Sequence, residues 1–284
     1  MQTCKSRRRK DDNLLMKYHT DIVDIHIHHS CNLACAGCNH FSDLTDDIER
    51  KDKNFLDDLD KVIKKVRITK QLSILGGEPL YRKNFKELFI SALRVLQKNN
   101  FNLKLLVLYT NGLLLNKNLY IRSLLNDYKF RLNITFHPTK NSKLYITLKR
   151  NLFNTFKKWK SLKQVTIYDP YRWQKTYLEK DGKIYPHLST DIEASYKHCV
   201  CPNVQVLDGK LYKCAPIAYL PFALKKTKQL NASYWKPYLN YVPANLDNDD
   251  ELDVFFSKHK KAEEICSMCP SSPKFFEKYD RKVK

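Results

Sequence analysis

Three cysteines, Cys31, Cys35 and Cys38, stand at the spacing C-x3-C-x2-C in the run Cys31-Asn32-Leu33-Ala34-Cys35-Ala36-Gly37-Cys38. Thiolates this close in sequence suit a soft metal, and an ordinary iron–sulfur cubane takes four of them. Three leave one iron with no protein ligand, where a small molecule can bind. The triplet alone leaves two other readings open. One is a zinc site closed by a fourth Cys or His, for which His40 is placed; the other is a set of buried cysteines without metal.

Further residues able to do chemistry fall at regular intervals downstream: Gly76-Gly77-Glu78-Pro79, Thr110-Asn111-Gly112, His137-Pro138 and Tyr168-Asp169. Each follows a stretch that reads as a strand. Strands are expected at 22–28, 71–75, 103–109, 131–136 and 164–168. Between them, amphipathic helices are expected from Asn54 as N-cap through Val66, along Phe85 to Leu96, over about 117–127, and from about 142 to 160. Strand and helix alternating at this interval predict an α/β fold with a parallel sheet, open or curled into a barrel. Ligands in such folds collect at the C-terminal strand ends, so the cysteine triplet and the four downstream motifs are expected to share one edge. With only six glycines in the chain, Gly37, Gly76, Gly77 and Gly112 stand where the backbone bends or approaches a ligand.

The pattern changes after about residue 195. Val204 to Leu207, Asp208-Gly209 and Lys210 to Lys213 read as a β-hairpin with a primed turn. Cys199 and Cys201 precede it, Cys214 follows it, and Cys266-Ser267-Met268-Cys269 comes near the end. Residues 221–262, with prolines and a charged stretch at 247–252, give no clear pattern.

The 284-residue length fits one large α/β domain with a smaller appendage. The expected division is a basic flexible tail over 1–20, a core over 21–195 and an auxiliary unit over 196–284. No apolar stretch is long enough to cross a bilayer, and the basic N-terminus lacks the apolar segment of a signal peptide. Nine cysteines then argue for a reducing, cytoplasmic compartment and for metal or catalysis over disulfides. The formal charge of +21 points toward an anionic partner, yet only 12 of the 51 basic residues are Arg, the side chain favoured for phosphate and base recognition. Nucleic acid is a possible partner on charge and is not favoured on composition.

The triplet and the Gly76-Gly77-Glu78 motif, taken together, resemble the radical S-adenosylmethionine (SAM) superfamily over roughly residues 22–170. The resemblance implies a partial (β/α)6 barrel in which Cys31, Cys35 and Cys38 hold a [4Fe–4S] cluster and SAM chelates the fourth iron. Gly76, Gly77 and Glu78 would contact the SAM amino group, with Asn111 and His137 as further cofactor contacts. Reductive cleavage of SAM would give a 5′-deoxyadenosyl radical that abstracts hydrogen, with flavodoxin or ferredoxin as electron donor. Two departures stand out. Gly37 occupies the place before the third cysteine where the family carries an aromatic residue, a role open to His40 or Phe41. No later glycine-rich adenine motif is present.

The later cysteines resemble the accessory iron–sulfur domain of this superfamily, called SPASM or, in its short one-cluster form, twitch. That implies a small C-terminal cysteine-rich β-hairpin domain whose four ligands are Cys199 or Cys201, Cys214, Cys266 and Cys269; a zinc ribbon is the alternative. The expected substrate is a peptide or a small anionic molecule such as a sugar nucleotide, and oxidation, epimerisation and cross-linking all fit. Tyr168, Asp169 and Trp173 are candidate substrate contacts. His26, His28 and His29 could line the cluster, though in-strand histidines are more often packing or solvent residues, and Cys4 is expected to be a free thiol. RNA modification and a non-catalytic zinc protein are the competing functions.

Overall fold

The computed structural model describes residues 16–35, 37–45, 50–99, 103–125, 127, 129–135, 142–157, 163–168, 173–276 and 281–283. The first half alternates strand and helix: β1 (Tyr18–His26), α1 (Asp52–Lys65), β2 (Val66–Leu75), α2 (Phe85–Lys98), β3 (Leu106–Thr110), the single turn α3 (Ile121–Leu124), β4 (Phe130–Thr135), α4 (Ser142–Lys157) and β5 (Val165–Tyr168). The second half supplies α5 (Ile192–Lys197), the hairpin β6 (Val204–Leu207) and β7 (Lys210–Tyr212), α6 (Ala215–Lys226), α7 (Lys236–Leu239), β8 (Ala244–Asn245) and α8 (Asp249–Lys258). The chain is thus an α/β protein with a mostly parallel central sheet, in the order β8-β7-β6-β1-β2-β3-β4-β5. Pairing is parallel from β6 across to β5 and antiparallel for β7 and β8.

The hairpin does not stand off from this sheet. Val23, Asp24 and Ile25 of β1 pair in parallel register with Val204, Gln205 and Val206 of β6. Its turn has the primed geometry that Asp-Gly favours, with φ of 50° at Asp208 and 75° at Gly209.

Alternation along each strand separates two faces. Val23, Ile25, Leu72, Ile74, Leu106, Leu108, Leu132 and Ile134 face the main apolar core with the buried sides of α1 and α2. The opposite face is polar for much of its width: Gln205, Asp24, Ser73, Val107 and Arg131 lie in one row across β6, β1, β2, β3 and β4. A second apolar cluster, built on α6 with Phe41, Tyr177, Trp235, Tyr238 and Met268, packs the later part of the chain.

Several boundaries depart from the sequence expectation for physical reasons. Helix α1 begins at Asp52, with Lys51 rather than Asn54 at the N-cap. Asp52 is pinned by Arg82 and by Asn84 Nδ2 at 2.7 Å, so the helix starts where that carboxylate is held. Val66 opens β2 instead of closing α1. The helix expected over 117–127 is a 3-10 turn (Leu115–Lys117) and one α turn, because Asn118 Nδ2 takes the Leu114 carbonyl at 2.9 Å. In the unpatterned region, α6 runs through Pro221. Burial of Ile217, Tyr219, Leu220, Ala223 and Leu224 outweighs the lost hydrogen bond there.

A buried ion pair ties the halves together. Arg50 and Asp58 form a salt bridge with side chains only 7% and 3% exposed. Arg50 Nη1 also donates to the His26 carbonyl at 2.7 Å, at the end of β1, and Asp58 Oδ1 accepts from Gly209 N at 2.6 Å, at the hairpin turn. Removing one partner strands the other in a dry environment. Asp58→Ala should therefore lower stability by about 3–5 kcal/mol in denaturant titrations, whereas Lys64→Ala, which breaks an exposed pair with Asp60 on the same helix, should cost under about 0.5 kcal/mol.

Candidate active site

The cysteine loop continues β1 and lies along the end of β2. Ile27 N donates to Leu75 O at 2.8 Å, Gly77 N to His28 O at 3.2 Å and Glu78 N to Ser30 O at 2.9 Å. This contact needs glycine twice. A Cβ on Gly76 would overlap the His28 carbonyl, and one on Gly77 would overlap the carbonyls of His29 and Ser30. Both collisions are with backbone, which cannot swing aside as a flexible side chain could. His28 Nε2–H donates to the Glu78 carbonyl at 2.6 Å and fastens the loop a second time.

Glu78 is fully buried, and both its carboxylate oxygens are engaged. Oε1 accepts from Leu80 N at 3.1 Å and Thr110 Oγ1 at 2.7 Å, while Oε2 accepts from Asn111 N at 2.6 Å. Burial pushes its pKa up to about 7 against those hydrogen bonds. Glu78 joins the ends of β2 and β3, so among the motif residues it is Gly76 and Gly77 that line the cavity described next. Asn111 reaches back to the cysteine loop, its Nδ2 donating to Asn32 Oδ1 at 2.8 Å.

These pieces border a cavity of about 360 Å³. Cys31, Cys35 and Cys38 line it, together with Gly76, Gly77 and Asn111. None of the three thiols is in a disulfide, and Leu33 N donates to Cys31 Sγ at 3.4 Å. Burial holds the Cys38 thiol up at about 11, a cost that bonding to a cationic metal centre relieves. Among the described residues no three His, Cys, Asp or Glu side chains close on the common point that a single ion requires. A cubane instead takes each thiolate at a separate iron. The triplet with an adjoining open cavity fits a three-cysteine cluster that leaves room for a small molecule.

A second, smaller cavity of about 30 Å³ lies among the later cysteines, lined by Cys199, Cys201, Cys214, Cys266 and Cys269. Cys201 lines the first cavity as well. Burial and mutual repulsion push the thiols of Cys214 and Cys269 up, whereas hydrogen bonding to Cys201 brings Cys199 down to about 7. Lys213 is buried beside them, its Nζ donating to the carbonyls of His259 and Lys261 at 2.9 and 2.6 Å and pairing with Glu263 at 2.8 Å. A cation at this place suits a group of thiolates.

Of the other expected contacts, Tyr168 and His40 line the main cavity. Burial lowers the His40 pKa to about 4, and its ring donates to the Gly76 carbonyl. Phe41, at φ 55°, packs its ring at a tilt against Tyr177 in the second apolar cluster, with ring centroids 5.0 Å apart. His26 and His29 are buried against Tyr219 of α6, at 4.1 and 4.9 Å between ring centroids, in keeping with a packing role. His137, Asp169 and Cys4 lie outside the described residues, and Trp173 is placed only by its backbone pairing with Phe276. Asp24, Asn39, Tyr109, Thr135 and Asn203 also line the cavity, although no motif marks them. The available signal was alternation, since Asp24 interrupts Ile22-Val23-Asp24-Ile25 at a position expected to be covered.

Gly77→Ala should displace the Cys31 loop, lowering stability by about 1–3 kcal/mol and cutting bound iron. Gly182→Ala is the control: it strains a φ of +72° but meets nothing within 4 Å, and its iron content should stay unchanged.

Residues 25–161 match the family model described as Radical SAM superfamily. No curated protein sequence matches the chain. Among solved structures, BtrN in complex with AdoMet and 2-DOIA shares 15% identity, with 88% of this chain and 92% of that chain covered and a TM-score of 0.50, a likeness of fold. SuiB of Streptococcus suis bound to S-adenosylmethionine shares 16% identity over 89% of this chain and 70% of that one, with a TM-score of 0.46. The protein anSMEcpe with bound AdoMet and Cp18Cys peptide shares 21% identity over 54% of this chain, with a TM-score of 0.40. The matched region spans 44% of the length of anSMEcpe. No helix among the described residues is long and apolar enough to cross a membrane. The cysteine triplet, the glycine-spaced loop and the match to the Radical SAM superfamily model fall on the same residues, so over 25–161, just under half of its length, the chain is similar to that superfamily.

Proposed function

We propose that this chain is a radical SAM enzyme that couples SAM-dependent hydrogen abstraction at Cys31, Cys35 and Cys38 to an auxiliary iron–sulfur cluster held by the later cysteines. The observation that carries the reading is the adjacency of the two cysteine cavities, which share Cys201 as a wall. Cys214, Cys266 and Cys269, with Cys199 or Cys201, would be the auxiliary ligands. In this superfamily, the bound cluster and SAM supply a 5′-deoxyadenosyl radical that takes a hydrogen atom from substrate. The protein's part is to position the reactants and keep water out. Glu78 and Asn111 hold the cysteine loop against β3, His40 and the two glycines shape the cavity wall, and Lys213 offsets the charge of the later thiolates.

The substrate is a peptide or a small molecule; anSMEcpe is bound to the Cp18Cys peptide and BtrN to 2-DOIA. An auxiliary cluster beside the cavity suits an oxidation, because it can accept the electron a substrate radical gives up. A flavodoxin- or ferredoxin-type donor would deliver the first electron, and a reducing cytoplasm suits eight cysteines that, among the described residues, form no disulfide.

Anaerobic reconstitution should give about eight irons per chain, four at each site. Cys35→Ala should lose about half of them and abolish 5′-deoxyadenosine formation from SAM under reducing conditions. Cys269→Ala should also lose about half yet retain some uncoupled SAM cleavage. Full 5′-deoxyadenosine formation by Cys35→Ala would refute the triplet assignment, and zinc in place of iron at the later cysteines would refute the auxiliary cluster.

A further inference from the structure

Strands of a parallel sheet covered on both faces are normally apolar throughout. Here Asp24 stands on β1 directly opposite Ser73 of β2 and Gln205 of β6. It is 8% exposed and lines the main cavity. Its Oδ2 accepts from Asn203 Nδ2 at 3.0 Å, and Asn203 lines the same cavity. Its Oδ1 is buried without a hydrogen-bond partner. Burial holds the carboxyl up at about 6, while the neutral side chains of Ser73, Asn203 and Gln205 pull the other way.

Among the described residues that line the cavity there is no Lys or Arg. Arg131 shares the Asp24 row but lies three strands away, about 14 Å at the usual spacing. It is exposed and does not line the cavity. A buried carboxylate with only neutral neighbours is costly unless a cation joins it. A phosphate placed beside it would be repelled and would find no partner on the described wall. Tyr109, Thr135 and Tyr168 add hydroxyls around the same space, groups that pair with hydroxyls on a ligand.

We propose that Asp24, braced by Asn203, is the recognition point for an amine-bearing, hydroxyl-rich, unphosphorylated substrate of the amino-sugar class. The proposal rests on the radical SAM reading of this cavity and narrows it, replacing the anionic small molecule expected from net charge with a cationic one. Asp24 takes the substrate ammonium and thereby orients the neighbouring carbon–hydrogen bonds toward the cysteine-bordered side of the cavity.

The test measures binding to reconstituted, SAM-loaded protein with three probes that share one ring: glucose, glucosamine and glucose 6-phosphate. Glucosamine should bind at least about tenfold tighter than glucose, and glucose 6-phosphate no tighter than glucose. Asp24→Asn should erase the preference for the amine, while SAM affinity stays within about twofold. Three results would overturn the proposal: no preference for glucosamine, binding of glucose 6-phosphate as tight as that of glucosamine, or a tenfold loss of SAM affinity in Asp24→Asn. The last would assign Asp24 to the SAM ammonium instead. Should Asp24→Asn not fold, the three probes on the unaltered protein decide by themselves. Formation of 5′-deoxyadenosine without any sugar tests the radical reading separately, so a failure of either is distinguishable from a failure of the other.

Discussion

The close approach of the His28–Ser30 backbone to Gly76 and Gly77 is the constraint on which the site depends. Two strand ends meet there with no side chain between them, and three backbone hydrogen bonds carry β1–β2 pairing past the regular strands into the loop that bears the cysteines. The loop gains the rigidity of the sheet without being part of it. Cys31 is one residue beyond this contact, so its direction follows from the glycines more than from its own neighbours.

Glu78 extends the same logic sideways. A buried carboxylate receiving two backbone N–H groups and one hydroxyl joins β2 to β3, and Asn111 returns the link to Asn32 in the cysteine loop. The closed circuit places cysteines, glycines and Asn111 on one cavity wall, with no charged side chain of the motif spent in the cavity itself. Function is therefore separated in space: the motif builds the wall, and the inner face of the sheet, through Asp24 and its neighbours, sets what the cavity accepts.

The later part of the chain is attached through the same sheet. Strand β6 pairs with β1, and the hairpin turn is held by Asp58, which in turn pairs with Arg50 behind the end of β1. The thiols of the second cavity consequently sit beside the first by backbone register. This arrangement gives Cys201 a place in both cavity walls, which no spacing rule within Cys199-Val200-Cys201 could reveal.

Sequence alone determined the local chemistry: the thiol triplet, the glycines, the strand–helix alternation and the Asp208-Gly209 turn are all written in neighbouring residues with fixed periods or conformational demands. It also led to the shared edge, because parallel strands deliver their C-terminal ends to one side. Tertiary structure decided what depends on residues far apart. Asp52 is held by Arg82 and Asn84, which moves the start of α1. Burial in the second cluster carries α6 through Pro221, against its local preference. Glu78 is turned inward by donors thirty residues away on β3, and Asp24 becomes a cavity carboxylate only because Ser73 and Gln205 flank it from neighbouring strands. Spacing can state which groups are available; burial and cross-strand register determine which of them face the reaction.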